Sequence, residues 1–168
     1  DVRTDRDGVA SATVTPTQVG VYPIAASMKK AVGRARLFVL DPARPTAVVD
    51  IDQTLSNLAE WLVPFVGHKA PAYEDSPAVL RELAATHTII YLTARDDVFD
   101  EGTRAFLARH AFPDGPVIYN DLGLTSDAER AQLNKHNHGA FKLGVLQALA
   151  ARGVRLTLGI GNSPTDAY

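Results

Sequence analysis

TAVVDIDQT, residues 46–54, governs how the rest of the chain is read. Three apolar residues after Thr46 run straight into Asp50 and Asp52, one residue apart, with Thr54 close behind. An apolar run without clean alternation suits a strand covered on both faces, as in a parallel sheet. A carboxylate at the end of such a strand is costly unless it is paired or holds a cation. The stretch therefore marks either a charged site at the carboxyl end of a buried strand or a capping pair at the start of a loop.

Working outward, HTIIYLT (87–93), PVIYN (116–120) and VRLTLGI (154–160) repeat the same texture. Helical patterns lie between them. SPAVLRELAAT (76–86) offers Ser76 as N-cap and Pro77 at the first helical position. FDEGTRAFLARH (99–110) ends in basic residues, which suit a helix C-terminus. GAFKLGVLQALAARG (139–153) stops at Gly153, a C-cap. Strand and helix in turn predict an α/β fold over 46–168: a doubly wound parallel sheet with right-handed crossovers, whose ligands bind beyond the carboxyl ends of the strands.

Residues 1–41 differ. DRDGVASATVTP (5–16) has a turn signal at Asp7-Gly8 followed by Thr/Val/Ala alternation, and VGVYPIAAS (19–27) and RARLFVLD (34–41) are two further β-like runs. The expectation is a small β segment of two or three antiparallel strands, which cannot bury both faces alone. It resembles the closing strands of a bacterial immunoglobulin-like domain; a β extension packed on the main domain is the other reading. Asp41-Pro42-Ala43-Arg44-Pro45 reads as the linker, since its prolines stiffen it and break pairing.

Composition sets outer bounds. With 168 residues, 46 % hydrophobic, the chain can build a sizeable core. A net charge of −2 argues against a surface dedicated to nucleic acid. The absence of cysteine excludes disulfides, zinc–thiolate sites and a thiol nucleophile. No apolar run approaches a membrane span and no signal peptide is visible, although the abrupt opening DVRTDRDG suits a processed or truncated N-terminus. Neither oligomeric state nor compartment, cytoplasmic or exported, is legible.

The chemistry-bearing residues gather at the predicted strand ends: Asp50 and Asp52, then Thr93, Asn120 and Asn162, with Asp166 four residues beyond the last. Two carboxylates at a spacing of two lie on one side of an extended strand and repel, so a compensating cation is required. Mg²⁺ takes one or two carboxylates together with water and phosphate oxygens. One carboxylate can then attack phosphorus, while the other protonates the leaving oxygen and later activates water. Phosphoryl transfer also needs donors and cations around the equatorial oxygens. Thr93 and Lys142, the latter near the start of the third helix, can supply them. The structural alternatives are a solvated helix lysine for Lys142 and a helix start at Asn162-Ser163-Pro164.

DIDQT, YLTAR, Lys142 and GNSPTD, in that order, resemble the four motifs of the haloacid dehalogenase-like phosphatases. Within that superfamily the chain is most similar to the lipin-type (LNS2) phosphatidate phosphatase domain, through YLTARDD, TRAFLARHAFPDGPVIY and GNSPTDAY. The resemblance covers roughly 46–168. It implies a Rossmann-like fold and an aspartyl-phosphate mechanism, with Asp50 as nucleophile and Asp52 as general acid and base. It further implies Mg²⁺ on Asp50, the Asp52 backbone carbonyl and Asn162, supported by Asp166, and a phosphoryl group bound by Thr93 and Lys142. Two departures stand out. Gln53 occupies a position that is usually Gly. The chain also ends at Tyr168, before the closing helix and further strand of the family, so it reads as a fragment.

The expected substrate is a phosphorylated small molecule or a phospholipid headgroup, phosphatidate first, with transient contact to a membrane surface and no nucleic acid as partner. The alternatives are a phosphatase for soluble nucleotides, polynucleotide ends or sugar phosphates, and a phosphatidate-binding module without catalysis. LAEWLVPFV (58–66), with Trp61, would rest against an acyl chain or simply pack as a core or cap helix. HNHG (136–139) reads as a polar loop and helix start, and His136 and His138 match no metal motif. Arg95 and Asp96 would contact substrate or pair with each other on the loop.

Overall fold

The computed structural model describes residues 2–57, 69–120, 135–163 and 166. LAEWLVPFV with Trp61 lies outside them, as do the side chains of Lys135, His136 and Asn137. The chain divides into two compact units, Asp1–Asp41 and Pro42–Tyr168.

The first unit is a β-hairpin. Strands β1 (Gly20–Met28) and β2 (Ala31–Val39) pair antiparallel from Gly20↔Val39 to Met28↔Ala31. The chain reverses at Lys29, whose φ of 55° is left-handed. The expected turn before the hairpin is present: the Asp5 carboxylate accepts from the backbone N–H of Asp7 and Val9, both at 2.9 Å. The Thr/Val/Ala alternation that follows it does not make a strand. Val9 and Val14 stay exposed, and an alternating pattern without a partner ladder has nothing to hold it extended.

The second unit holds four parallel strands, β3 (Thr46–Val49), β4 (Thr88–Leu92), β5 (Val117–Ile118) and β6 (Leu156–Ile160), in the order β5-β4-β3-β6. This order sets the Asn162 loop, which follows β6, beside Asp50 at the end of β3. Among the described residues the connecting helices are α1 (Ser76–Ala84), α2 (Asp100–Arg109) and α3 (Lys135–Ala151), and a single 3₁₀ turn, Asp97–Phe99, leads into α2. Alternate strand residues supply the two faces. Ala47, Val49, Ile89 and Tyr91 pack with Leu80 of α1 and Phe106 of α2 into the main core. Val48 and Leu92 point the other way, toward Leu143 and Leu146 of α3. Helices on both faces of a parallel sheet make this a doubly wound, Rossmann-like α/β architecture. Among the described residues no helix is long and apolar enough to cross a membrane.

Three local readings shift. Ser76 is the first helical residue rather than the cap; the capping position falls to Asp75, which makes no side-chain bond, while the Ser76 hydroxyl donates to the Tyr73 carbonyl at 2.8 Å. Helix α3 begins at Lys135, before the predicted Gly139, because the polar HNHG stretch is itself helical. Lys142 consequently sits in the body of α3 rather than near its start. Gly153 does end the helix, with a φ of 83° that a side chain would strain.

Candidate active site

The sheet ladder runs one residue past β3. The Asp50 N–H donates to the Ile160 carbonyl at 2.9 Å, which fixes the Asp50 Cα between the ends of β3 and β6. In the same way Thr93 N–H donates to Ile118 at 3.1 Å. The main chain then leaves the sheet through Gln53, whose φ of 58° is left-handed. A glycine would take this conformation without cost, and Gln53 adopts it all the same. The turn returns Thr54 toward the strand end.

The two aspartates that the sequence places together are held by different cations. Asp50 Oδ1 accepts from Lys142 Nζ at 2.9 Å, and both side chains are largely buried. Asp52 is gripped by Arg95 through both oxygens, Nε to Oδ2 at 2.8 Å and a terminal nitrogen to Oδ1 at 2.6 Å. Their repulsion is thus offset within the chain, by one lysine and one arginine. Burial pushes the Asp50 carboxyl up to about 6, against the pull of Lys142; Asp166 and Asp52 add to the upward shift. Burial also pulls Lys142 down, but Asp50 and Asp166 outweigh it and leave the ammonium above its ordinary value.

Asp166 closes the arrangement. One oxygen meets Lys142 Nζ, and the other accepts from the backbone N–H of Asn162 and Ser163 at 3.1 and 2.9 Å. The loop can wrap this tightly only because residue 161 is glycine: a Cβ there would overlap the Asp166 side chain. The Thr54 hydroxyl lies 3.0 Å from Asp50 Oδ2 and 3.1 Å from Asn162 Oδ1, and can donate to one at a time. Thr93, fully buried, donates to Asp52 Oδ2 at 3.3 Å.

Asp50, Asp52, Thr93, Lys142, Asn162 and Asp166 therefore meet at the carboxyl ends of β3, β4 and β6. Asn120 is buried at the end of β5, where its N–H donates to the Arg95 carbonyl at 2.9 Å. Asp96 does not pair with Arg95; it caps the 3₁₀ turn, accepting from Val98 N–H at 3.1 Å. Thr54 has no role in the sequence reading, although it lies four residues after Asp50, where a tight turn brings it back to the strand end. Arg95, expected to contact substrate or pair with Asp96, instead reaches Asp52, which only the fold shows.

The donors suit a hard divalent cation. They are oxygens only, and Asp50 Oδ2 and Asn162 Oδ1 converge on a single hydroxyl. Among the described residues no group of three or more His, Asp or Glu side chains forms a metal cage, so such an ion would rely on Asp50 with amide and backbone oxygens.

The family model for the LNS2 domain of PITM 1-3 matches residues 47–168. The chain belongs to this family. Membership places the LNS2 domain among the haloacid dehalogenase-like folds and supports a phosphatase. No curated protein matches the chain. Solved structures overlap it only partly. The Pnkp1/Rnl/Hen1 RNA repair complex aligns at 17 % identity and TM-score 0.44, over 53 % of this chain and 30 % of that one. A class C acid phosphatase from Bacillus anthracis with tungstate bound aligns at 15 % identity and TM-score 0.41, over 68 % of this chain and 65 % of that one. The chain thus spans less than two thirds of either neighbour.

Proposed function

We propose that this LNS2 domain is a Mg²⁺-dependent phosphomonoesterase that works through an aspartyl-phosphate on Asp50. The observation that carries the reading is the pair of strand-end carboxylates in separate environments, Asp50 against Lys142 and Asp52 against Arg95. Two carboxylates with different partners can take different roles. Asp50 attacks phosphorus. Asp52 gives a proton to the leaving oxygen and, in the second step, takes one from the water that releases phosphate. Lys142 and Thr93 bind the phosphoryl oxygens. Asp50, the Asp52 carbonyl and Asn162 would hold Mg²⁺, with Asp166 behind them, and the ion would neutralise charge on the phosphoryl group.

Phosphatidate is the first substrate. A cleft of about 430 Å³ carries Asp50, Lys142 and Asp166 and is otherwise lined mainly by apolar side chains, among them Leu143, Leu146, Leu156 and Leu158, with Gln147 and Thr157 as polar exceptions. That composition suits an amphiphile with one phosphate end. The region between Asp52 and β4 is too short for a large closed cap, which suits a headgroup presented at a membrane surface. Contact with the surface is expected to be weak, since among the described residues no basic amphipathic helix accompanies it.

The test is turnover with Mg²⁺ on p-nitrophenyl phosphate, glycerol 3-phosphate, a 5′-nucleotide and phosphatidate in vesicles. The expected result is fastest release from phosphatidate, with Trp61→Ala slowing the lipid more than glycerol 3-phosphate. Equal rates on all four, unchanged by Trp61→Ala, leave a general phosphatase. Vesicle binding without phosphate release from any of them leaves a binding module.

A further inference from the structure

The Arg95 side chain is held on two sides. Its guanidinium makes a two-pronged contact with Asp52, and only 2 % of the side chain is exposed. The remaining terminal nitrogen donates to the hydroxyl of Thr103, in α2, at 2.9 Å, and Thr103 is fully buried. Its backbone is held as well, N–H to Thr93 Oγ1 at 3.2 Å and carbonyl to Asn120 N–H at 2.9 Å. The fork is thus fixed to α2 on one side and to the ends of β4 and β5 on the other.

A planar fork that holds both oxygens of a carboxylate fixes the plane of that carboxylate as well as its position. Asp52 sits just before the left-handed turn at Gln53, and besides the fork its carboxylate accepts from Thr93 Oγ1 at 3.3 Å, a single contact that leaves its plane unset. We propose that Arg95 is a positioning residue for Asp52, aiming the carboxyl at the leaving-group oxygen, and that Thr103 in turn positions Arg95. This rests on the phosphatase reading above. The step concerned is the first one. The bond from phosphorus to the leaving oxygen breaks as the bond from Asp50 to phosphorus forms. The proton, carried on the lone pair of Asp52 Oδ1 that the fork does not use, passes to that oxygen, the alcohol departs, and Asp52 remains as the carboxylate that faces the fork. Arg95 touches neither phosphorus nor the leaving group in this arrangement.

Such a role has a signature that general structural support lacks. Positioning of an acid matters for a poor, alkoxide leaving group and little for p-nitrophenolate, which departs without a proton. The experiment compares kcat/KM, which reports steps up to formation of the aspartyl-phosphate, on an alkyl phosphate and on p-nitrophenyl phosphate. Arg95→Lys keeps the charge but cannot hold two oxygens in a plane. The expected loss is about 10- to 100-fold on the alkyl ester, within the range that a general acid contributes, and less than about threefold on the aryl ester. Thr103→Val, which removes only the anchor of the fork, should shift the ratio in the same direction by a smaller factor, and it serves where Arg95→Lys unfolds. In an Asp52→Asn background, Arg95→Lys should cost nothing further on the alkyl ester. Equal losses on both esters overturn the proposal, as does an undiminished effect in the Asp52→Asn background. A wild-type chain that hydrolyses neither ester overturns the phosphatase reading and this one with it; a wild-type chain that hydrolyses both, with variants losing equally, overturns the positioning alone.

Discussion

Lys142 Nζ lies 2.9 Å from Asp50 Oδ1 and also meets Asp166, so one ammonium in the body of α3 joins the end of the central strand to the loop after β6. The three groups are largely buried together. Removing the cation leaves two carboxylates without their shared partner. Lys142→Met should therefore destabilise the fold by about 3 kcal/mol at neutral pH, and by less near pH 5, where the carboxyls can take up protons. Urea unfolding at both pH values measures this.

Asp50→Asn should leave the fold intact and remove turnover by at least about 1,000-fold, because an amide cannot attack phosphorus. A generic aryl phosphate is the substrate to use, since it does not depend on the lipid reading. Substantial residual hydrolysis with an unchanged melting curve would move the nucleophile elsewhere.

Metal dependence carries a pH signature. Burial raises Asp50 to about 6 from an ordinary 3.8, so the folded chain holds that proton more tightly than the unfolded one. Relative to the unfolded chain, folding favours the protonated carboxyl. Its contribution is full below 3.8 and is lost as pH rises through about 6, a cost of about 3 kcal/mol in the metal-free protein. A cation on Asp50 should offset that cost. Addition of Mg²⁺ should then raise the melting temperature more at pH 7.5 than at pH 5, and EDTA should abolish turnover reversibly. An equal thermal shift at both pH values, or full activity in excess EDTA, would contradict this.

Gly161→Ala tests the loop. The added methyl would overlap Asp166, which must then move away from Lys142 or from the N–H groups of Asn162 and Ser163. A displacement of about 1 Å at a catalytic site costs about 100-fold in rate. Gln53→Gly should act in the opposite sense on stability, raising it by roughly 0.5–1 kcal/mol, because Gln53 pays the left-handed penalty at a φ of 58°.

Much of this arrangement was legible in the sequence because it follows from periodicity. Unalternated apolar runs with helices between them predict a parallel sheet, and a parallel sheet sends the strand ends to one edge. That places Asp50, Thr93 and the Asn162 loop together, and the strand order follows from their need to meet. Residues 9–16 misled for the complementary reason: alternation predicts a strand only where a neighbouring strand receives it. The grip of Arg95 on Asp52 was not legible. It depends on how far a side chain reaches from one strand end to the next, and no local pattern records that. The start of α3 was missed because His, Asn and Gly in HNHG have weak helix preferences that the surrounding helix overrides.

The central strand has consequences for how the domain comes into being. Thr54 and Asn162, which approach within 3.1 Å, are 108 residues apart in sequence, and β3 lies between β4 and β6. During synthesis β3 and β4 can pair early, while the place of β6 along the other side of β3 stays empty until nearly the whole stretch has emerged. Pairings this distant close slowly, since a long loop must be ordered before any contact rewards it. Asp50 is therefore made early and completed late. A nascent chain that stops short of residue 156 holds Asp50 beside an open sheet edge, and the charge network around it forms only when β6 docks.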